Sequence, residues 1–163
     1  MPPAVFVLKG TPNPSMAYAA YVAPLTDFPV KGVLWYQGES NNGRAEQYEK
    51  LFPAMVKQWR DEFGIGEFPF YFAQIAPYNY RNGANATAPM DLKANSAFLR
   101  DAQRKSVNSI PNSGMVVLMD NGEEFNIHPA DKETVGKRFS YMALAATYQF
   151  KGFAYQSPAM DSI

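Results

Sequence analysis

Three short apolar runs punctuate the chain, at 30–36 (VKGVLWY), 68–76 (FPFYFAQIA) and 114–119 (GMVVLM), and each is followed by a longer amphipathic stretch. Runs this short, apolar at nearly every position, read as strands buried on both faces, because a half-solvated strand would alternate. Residues 44–63 carry Tyr48, Leu51, Met55, Trp59 and Phe63 at spacings of three or four, the inner stripe expected of a helix. Pro53 lies inside that stripe, so the helix is expected to kink there or to restart with Pro in its first turn. Gly64 and Gly66 end it. Residues 95–110 read as a second helix with a charged middle, Arg100 to Lys105. Residues 131–148 read as a third, with Asp131 as N-cap and Val135, Phe139, Met142 and Ala146 facing inward. Strand then helix, three times over, predicts a parallel sheet covered on both sides: an α/β, doubly wound fold in three layers. Such sheets keep their chemistry outside the carboxyl ends of the strands.

The composition narrows the partners. A chain of 163 residues that is 47% hydrophobic and 15% aromatic reads as one packed domain, 1–163, rather than a disordered segment. Lys+Arg and Asp+Glu balance at 15 each and the basic residues are scattered, which argues against a nucleic-acid or anionic-membrane partner. No apolar stretch has the length of a membrane span. There is no cysteine and a single histidine, so neither a thiolate nucleophile nor a zinc site is expected. No phosphate-cradling glycine loop is present, and no cofactor is expected.

Three segments fall at strand carboxyl ends: Gln37 to Asn42, Pro77 onward, and Asp120 to His128. His128 must carry any imidazole acid–base step, and Pro129 stiffens the backbone beside it. A surface-loop histidine is the competing reading. Gln37-Gly38-Glu39-Ser40-Asn41 also admits two readings. As a nucleophile elbow it would use Ser40, but Glu39 and Asn41 are larger than the flanking residues of such a turn. As an electrostatic loop it would aim the Gln37 amide at a developing oxyanion, with Gly38 giving clearance and Glu39 anchoring the turn. A plain strand-to-helix turn capped by Asn41 or Asn42 is the structural alternative. Asp120, Glu123 and Glu124 are candidates to orient His128, and Tyr78, Tyr80 and Arg81 are candidates to line a sugar site.

The stretch Val30 to Asn41 (VKGVLWYQGESN) resembles the "kGviWYQGEsN" signature of the sialate O-acetylesterase and acetylxylan-esterase-like branch of the SGNH hydrolases. The similarity continues in order through Tyr48 to Arg60, Pro69 to Gln74 (PFYFAQ), Leu99 to Gln103 (LRDAQ), and Ile127-His128-Pro129 with Lys132, Val135-Gly136 and Arg138. It covers about Met16 to Tyr148. The resemblance implies a flavodoxin-like three-layer fold and removal of O-acetyl groups from sialic acid or acetylated glycans by a Ser–His mechanism. It makes His128 the general base and places Gln37 on the oxyanion side, with Gly38, Glu39 and Asn41 supporting. It also suggests a periplasmic or secreted bacterial protein.

Two departures shape the expectations. The family's Gly-Gln-Ser-Asn nucleophile motif has no counterpart before Val30, where Thr11 to Met16 is a poor match. Many members carry Asp two residues before the histidine, where this chain has Asn126; help for His128 would then come from Asp120 or Glu123. The chain is therefore expected to be the C-terminal portion of an acetylesterase, lacking its first strand and serine, inactive alone and self-associating through the exposed sheet edge. A non-catalytic lobe that binds glycans or a partner is the alternative, and a hydrolase using Ser40 comes third.

Overall fold

A computed structural model describes residues 15–80 and 95–158. Its elements are α1 (Met16–Tyr21), β1 (Val33–Trp35), α2 (Ala45–Phe63), β2 (Phe70–Ala73), α3 (Ser96–Ser109), β3 (Ser113–Val116) and α4 (Lys132–Met142). Single 3-10 turns, Ala23–Leu25 and Glu39–Asn41, precede β1 and α2, and a π-helical turn, Ala143–Thr147, follows α4.

The three strands pair in parallel in the order β1-β2-β3. Val33 lies beside Phe70 and Trp35 beside Phe72, while Phe70 lies beside Ser113 and Ala73 beside Val116. Successive side chains of a strand leave on opposite faces, and β2 uses both. Phe70 and Phe72 point into a core with Phe52, Val56, Leu99 and Ala102 from α2 and α3. Tyr71 and Ala73 point into a second core with Val135, Phe139 and Met142 from α4. Phe70 and Phe72 are fully buried, and each contributes about 1.5–3 kcal/mol by leaving water. Helices thus cover both faces of a parallel sheet, the α/β architecture expected.

Several details differ from the sequence reading. β1 is not buried on both faces: Leu34 is 59% exposed, because α4 sits over β2 and β3 and leaves the β1 end of that face open. Among the described residues the outer edge of β1 pairs with no strand, and the expectation of self-association rests on that edge. The inner stripe of α2 is Tyr48, Phe52, Val56 and Arg60, with Leu51 turned outward at 55% exposure. A helix repeats every 3.6 residues, so choosing Leu51 over Phe52 rotates the assumed face by one position. The helix does not restart at Pro53; it runs unbroken to Gly64, whose left-handed φ of 63° closes it. In the last helix Asp131 caps as expected, accepting from the Thr134 N–H at 2.9 Å. Its stripe holds through Met142 but leaves Ala146 exposed, where the widened π turn rotates the face away.

Candidate functional site

All three loops of interest leave the same edge of the sheet, because parallel strands end together. After β1 the chain passes through Gln37 and Gly38 into the 3-10 turn Glu39–Asn41. The Gln37 amide donates from Nε2 to Asn41 Oδ1 at 2.8 Å. One of its two amide hydrogens is thereby committed and the other stays available. The Gln37 carbonyl accepts from Tyr48 Oη at 3.3 Å and from Gln103 Nε2 at 3.4 Å. A Cβ on Gly38 would lie 2.7 Å from Ile75 Cγ2 and 2.9 Å from Gln103 Nε2. The glycine is therefore required by close packing against β2 and α3. Ser40 is exposed, its carbonyl accepts from Arg44 Nη2 at 2.6 Å, and among the described residues its hydroxyl meets no base.

After β2 and β3 the two loops are pinned to each other. Asn79 donates from its backbone to the Glu124 carbonyl at 3.0 Å and from Nδ2 to Glu124 Oε1 at 3.3 Å. Gly122 runs so close to Pro77 that a Cβ there would sit 2.3 Å from the Pro77 carbonyl oxygen. His128 is exposed on the second of these loops, and its backbone N–H donates to Asn126 Oδ1 at 3.1 Å. Asn126 Nδ2 donates in turn to Glu123 Oε2 at 3.2 Å, and Glu123 Oε1 accepts from the Ala130 N–H at 2.5 Å. Asn126 and Glu123 thus shape the backbone around His128. Among the described residues nothing bonds its imidazole. Asp120 is held in a bidentate pair by Arg138, at 2.7 and 2.6 Å. The Arg138 guanidinium pulls the Asp120 carboxyl down to about 2, so this carboxylate stays ionised and committed to α4.

Lys132, four residues past His128, sits with its ammonium 5.1 Å over the Tyr36 ring, next to Gln37. This contact joins the β1 side of the edge to the His128 side. Three tyrosines lie near Glu39. Burial, with the nearby Glu39 charge, pushes the Tyr36 and Tyr48 hydroxyls up, and Tyr80 up to about 12. All three remain protonated donors at neutral pH. The Tyr36 and Tyr80 hydroxyls are buried and have no hydrogen-bond partner among the described residues. Tyr78 and Tyr80 pack edge to face with centroids 5.0 Å apart, and Arg81 lies outside the described residues. Described groups of His, Asp and Glu include none arranged to hold a metal.

Gln103 had no assigned role in the sequence reading, yet it is fully buried and touches both the β1 and β2 ends. One signal could have found it: it is the amide on the inner stripe Leu99, Ala102, Gln103, Ser106 of α3. A polar side chain on an apolar helix face must be hydrogen-bonded to be tolerated.

Comparison with known proteins places this arrangement. The profile of the family described as carbohydrate esterase, sialic acid-specific acetylesterase matches residues 15–144. A sialate O-acetylesterase from Mus musculus is 33% identical over 168 residues, covering 96% of this chain and 30% of that protein. The Homo sapiens sialate O-acetylesterase is 31% identical, covering 96% of this chain and 32% of that protein. The chain thus spans about a third of the length of these relatives. The crystal structure of a carbohydrate acetylesterase from Xanthomonas citri superposes with a TM-score of 0.69 at 36% identity, covering 83% of this chain and 30% of that one. With the signature loop after β1 and the histidine loop after β3 on one sheet edge, the chain belongs to the sialic acid-specific acetylesterase family of carbohydrate esterases.

Proposed function

We propose that this chain forms the histidine-bearing, oxyanion-side portion of a carbohydrate O-acetylesterase that works by a Ser–His mechanism. The observation that carries the reading is the convergence of Gln37 and His128 on one sheet edge, with Lys132 over Tyr36 linking the two loops. His128 has an exposed imidazole whose loop is fixed by its own backbone bonds. It takes the proton from a serine hydroxyl as that oxygen attacks the acetyl carbonyl, then returns it to the departing sugar oxygen. Gln37, oriented by Asn41, offers its second amide hydrogen to the negative oxygen of the tetrahedral intermediate. No Gly-Gln-Ser-Asn string occurs in the 163 residues, and among the described residues no base bonds the Ser40 hydroxyl. The nucleophile is therefore read as coming from another segment, with acetylated sugars as the substrate class.

The test complements the chain with a serine-bearing segment: residues 15–144 replace the matching segment of the Xanthomonas citri relative, and hydrolysis of acetylated sugars is followed. Activity is expected in the chimera and not in the 163-residue chain alone. His128→Ala should lower kcat by about 10²–10⁴-fold. Full activity in His128→Ala would overturn the reading in favour of a binding lobe. Activity of the isolated chain that vanishes in Ser40→Ala would make Ser40 the nucleophile.

A further inference from the structure

The pairing register of β1 and β2 shows what an uninterrupted ladder would do next. Trp35 lies beside Phe72, and the Val33 N–H donates to the Pro69 carbonyl at 2.9 Å. Two residues on at each step, Gln37 would donate to the Ala73 carbonyl and accept from the Ile75 N–H, as parallel strands do. Neither bond forms. The Ile75 N–H donates to Gln103 Oε1 at 2.9 Å, and Gln103 Nε2 donates to the Ala73 carbonyl at 3.3 Å and the Gln37 carbonyl at 3.4 Å. A side-chain amide has the same donor and acceptor as a peptide. Gln103 occupies the place of a ladder rung and separates the two strands at their carboxyl ends. The departure begins at the residue that opens the signature loop.

This wedge also sets the direction of one backbone donor. The Gln37 carbonyl is drawn toward α2 and α3 by Tyr48 Oη and Gln103 Nε2. In a trans peptide the N–H of the next residue points the opposite way, and the described residues include no cis peptide. The Gly38 N–H therefore turns away from Gln103, and among the described residues no acceptor is found for it. An orphaned backbone N–H on a buried residue is rare, and an active site is where one is kept.

We infer that Gln103 is a positioning residue that replaces the last β1–β2 rung and thereby presents the Gly38 N–H as an oxyanion donor beside the Gln37 amide. The inference rests on the esterase reading for the donor's use, but the wedge itself stands on geometry alone. Two backbone-facing contacts, Gln103 and Tyr48, hold the same carbonyl, so removing Gln103 should matter more than removing Tyr48, which makes one bond where Gln103 makes three.

The experiment has two arms. In the 163-residue chain, NMR scalar coupling across hydrogen bonds is measured for Gln103→Ala. The expected result is a new coupling between the Ile75 N–H and the Gln37 carbonyl as the ladder closes, with a shifted Gly38 amide. Unchanged Gln37, Gly38 and Ile75 resonances would overturn the wedge. In the serine-complemented chimera, Gln103→Met should lower kcat by about 100-fold, the scale of one lost oxyanion donor, with KM within about twofold. Gln103→Glu keeps the acceptor for the Ile75 N–H and serves where Met does not fold; it should also lose kcat selectively. Tyr48→Phe is expected to fall between these variants and the parent. If His128→Ala abolishes activity while both Gln103 variants keep kcat, this inference fails alone. If His128→Ala is fully active, the esterase reading fails while the NMR arm still judges the wedge.

Discussion

Two buried polar side chains sit at opposite ends of the same sheet. Arg60, on α2, lies at the amino end of the strands, where Nη2 donates to the Phe68 and Pro111 carbonyls at 2.7 and 2.8 Å and Nη1 meets Glu67. Gln103, on α3, lies at the carboxyl end. Arg60 has only donors, so it can only saturate acceptors, here carbonyls and the Glu67 carboxylate of the segments that lead into β2 and β3. It closes the structure there. Gln103 has a donor and an acceptor, so it can stand in for a peptide and hold two strands apart while pairing the Ile75 N–H and the Ala73 and Gln37 carbonyls. One end of the sheet is sealed by a cation, and the other is held open by an amide. The chemistry we propose lies at the open end, where the crevice rule for parallel sheets puts it.

The comparison can be broken or sharpened by substitution. The largest stability effect is expected from Arg60→Leu, which strands two carbonyls at about 1–3 kcal/mol each, roughly 2–6 kcal/mol in all. Denaturant melts of the chain would show it. In the serine-complemented chimera, kcat should be unchanged at temperatures where the variant is folded. A kcat loss as large as that of a Gln103 variant would erase the distinction between the two ends.

Gly38→Ala comes next. Its Cβ would press on Ile75 and Gln103 at 2.7 and 2.9 Å, costing about 1–3 kcal/mol of overpacking. Gly136→Ala on α4 meets nothing within 4 Å and should instead stabilise by roughly 0.5–1 kcal/mol. Equal effects of the two substitutions would mean that the carboxyl end is not tightly assembled around Gly38.

The smallest effect concerns acid. Asp120 titrates near 2 in the folded chain and near 3.9 when unfolded, by the usual reference of about 3.9 for Asp. A depressed folded pKa means that the pair with Arg138 contributes stability above about pH 4 and loses it as pH falls toward about 2. The carboxylate is exposed, so the contribution is small. Melting temperatures of Asp120→Asn should lie slightly below the parent at neutral pH and converge with it near pH 2. A gap that persists at pH 2 would assign the loss to packing rather than charge.

Much of this was legible in the sequence, and for reasons that can be named. The strands at 30–36, 68–76 and 114–119 were found because apolar runs of that length have few alternatives. Asp131 was found because a capping carboxylate is a local interaction with Thr134. The inner face of α2 was misplaced because Leu51 and Phe52 are equally apolar, and only the position of β1 and β2 decides which one faces them. Gly38 was read as clearance for substrate, whereas its neighbours are Ile75 and Gln103, 37 and 65 positions away in the chain. Asp120 was read as a possible partner of His128, whereas Arg138 takes both of its oxygens from a helix 18 positions on.

The sequence by itself determined what depends on residues near one another: the period of each element, its caps and the sheet edge on which the polar loops must lie. The tertiary structure decided which groups meet across that edge. Pairing Gln103 with the Gln37 carbonyl, or Lys132 with the Tyr36 ring, brings together residues 66 and 96 positions apart. Such contacts follow from packing and strand register, which exist only once the helices have docked on the sheet.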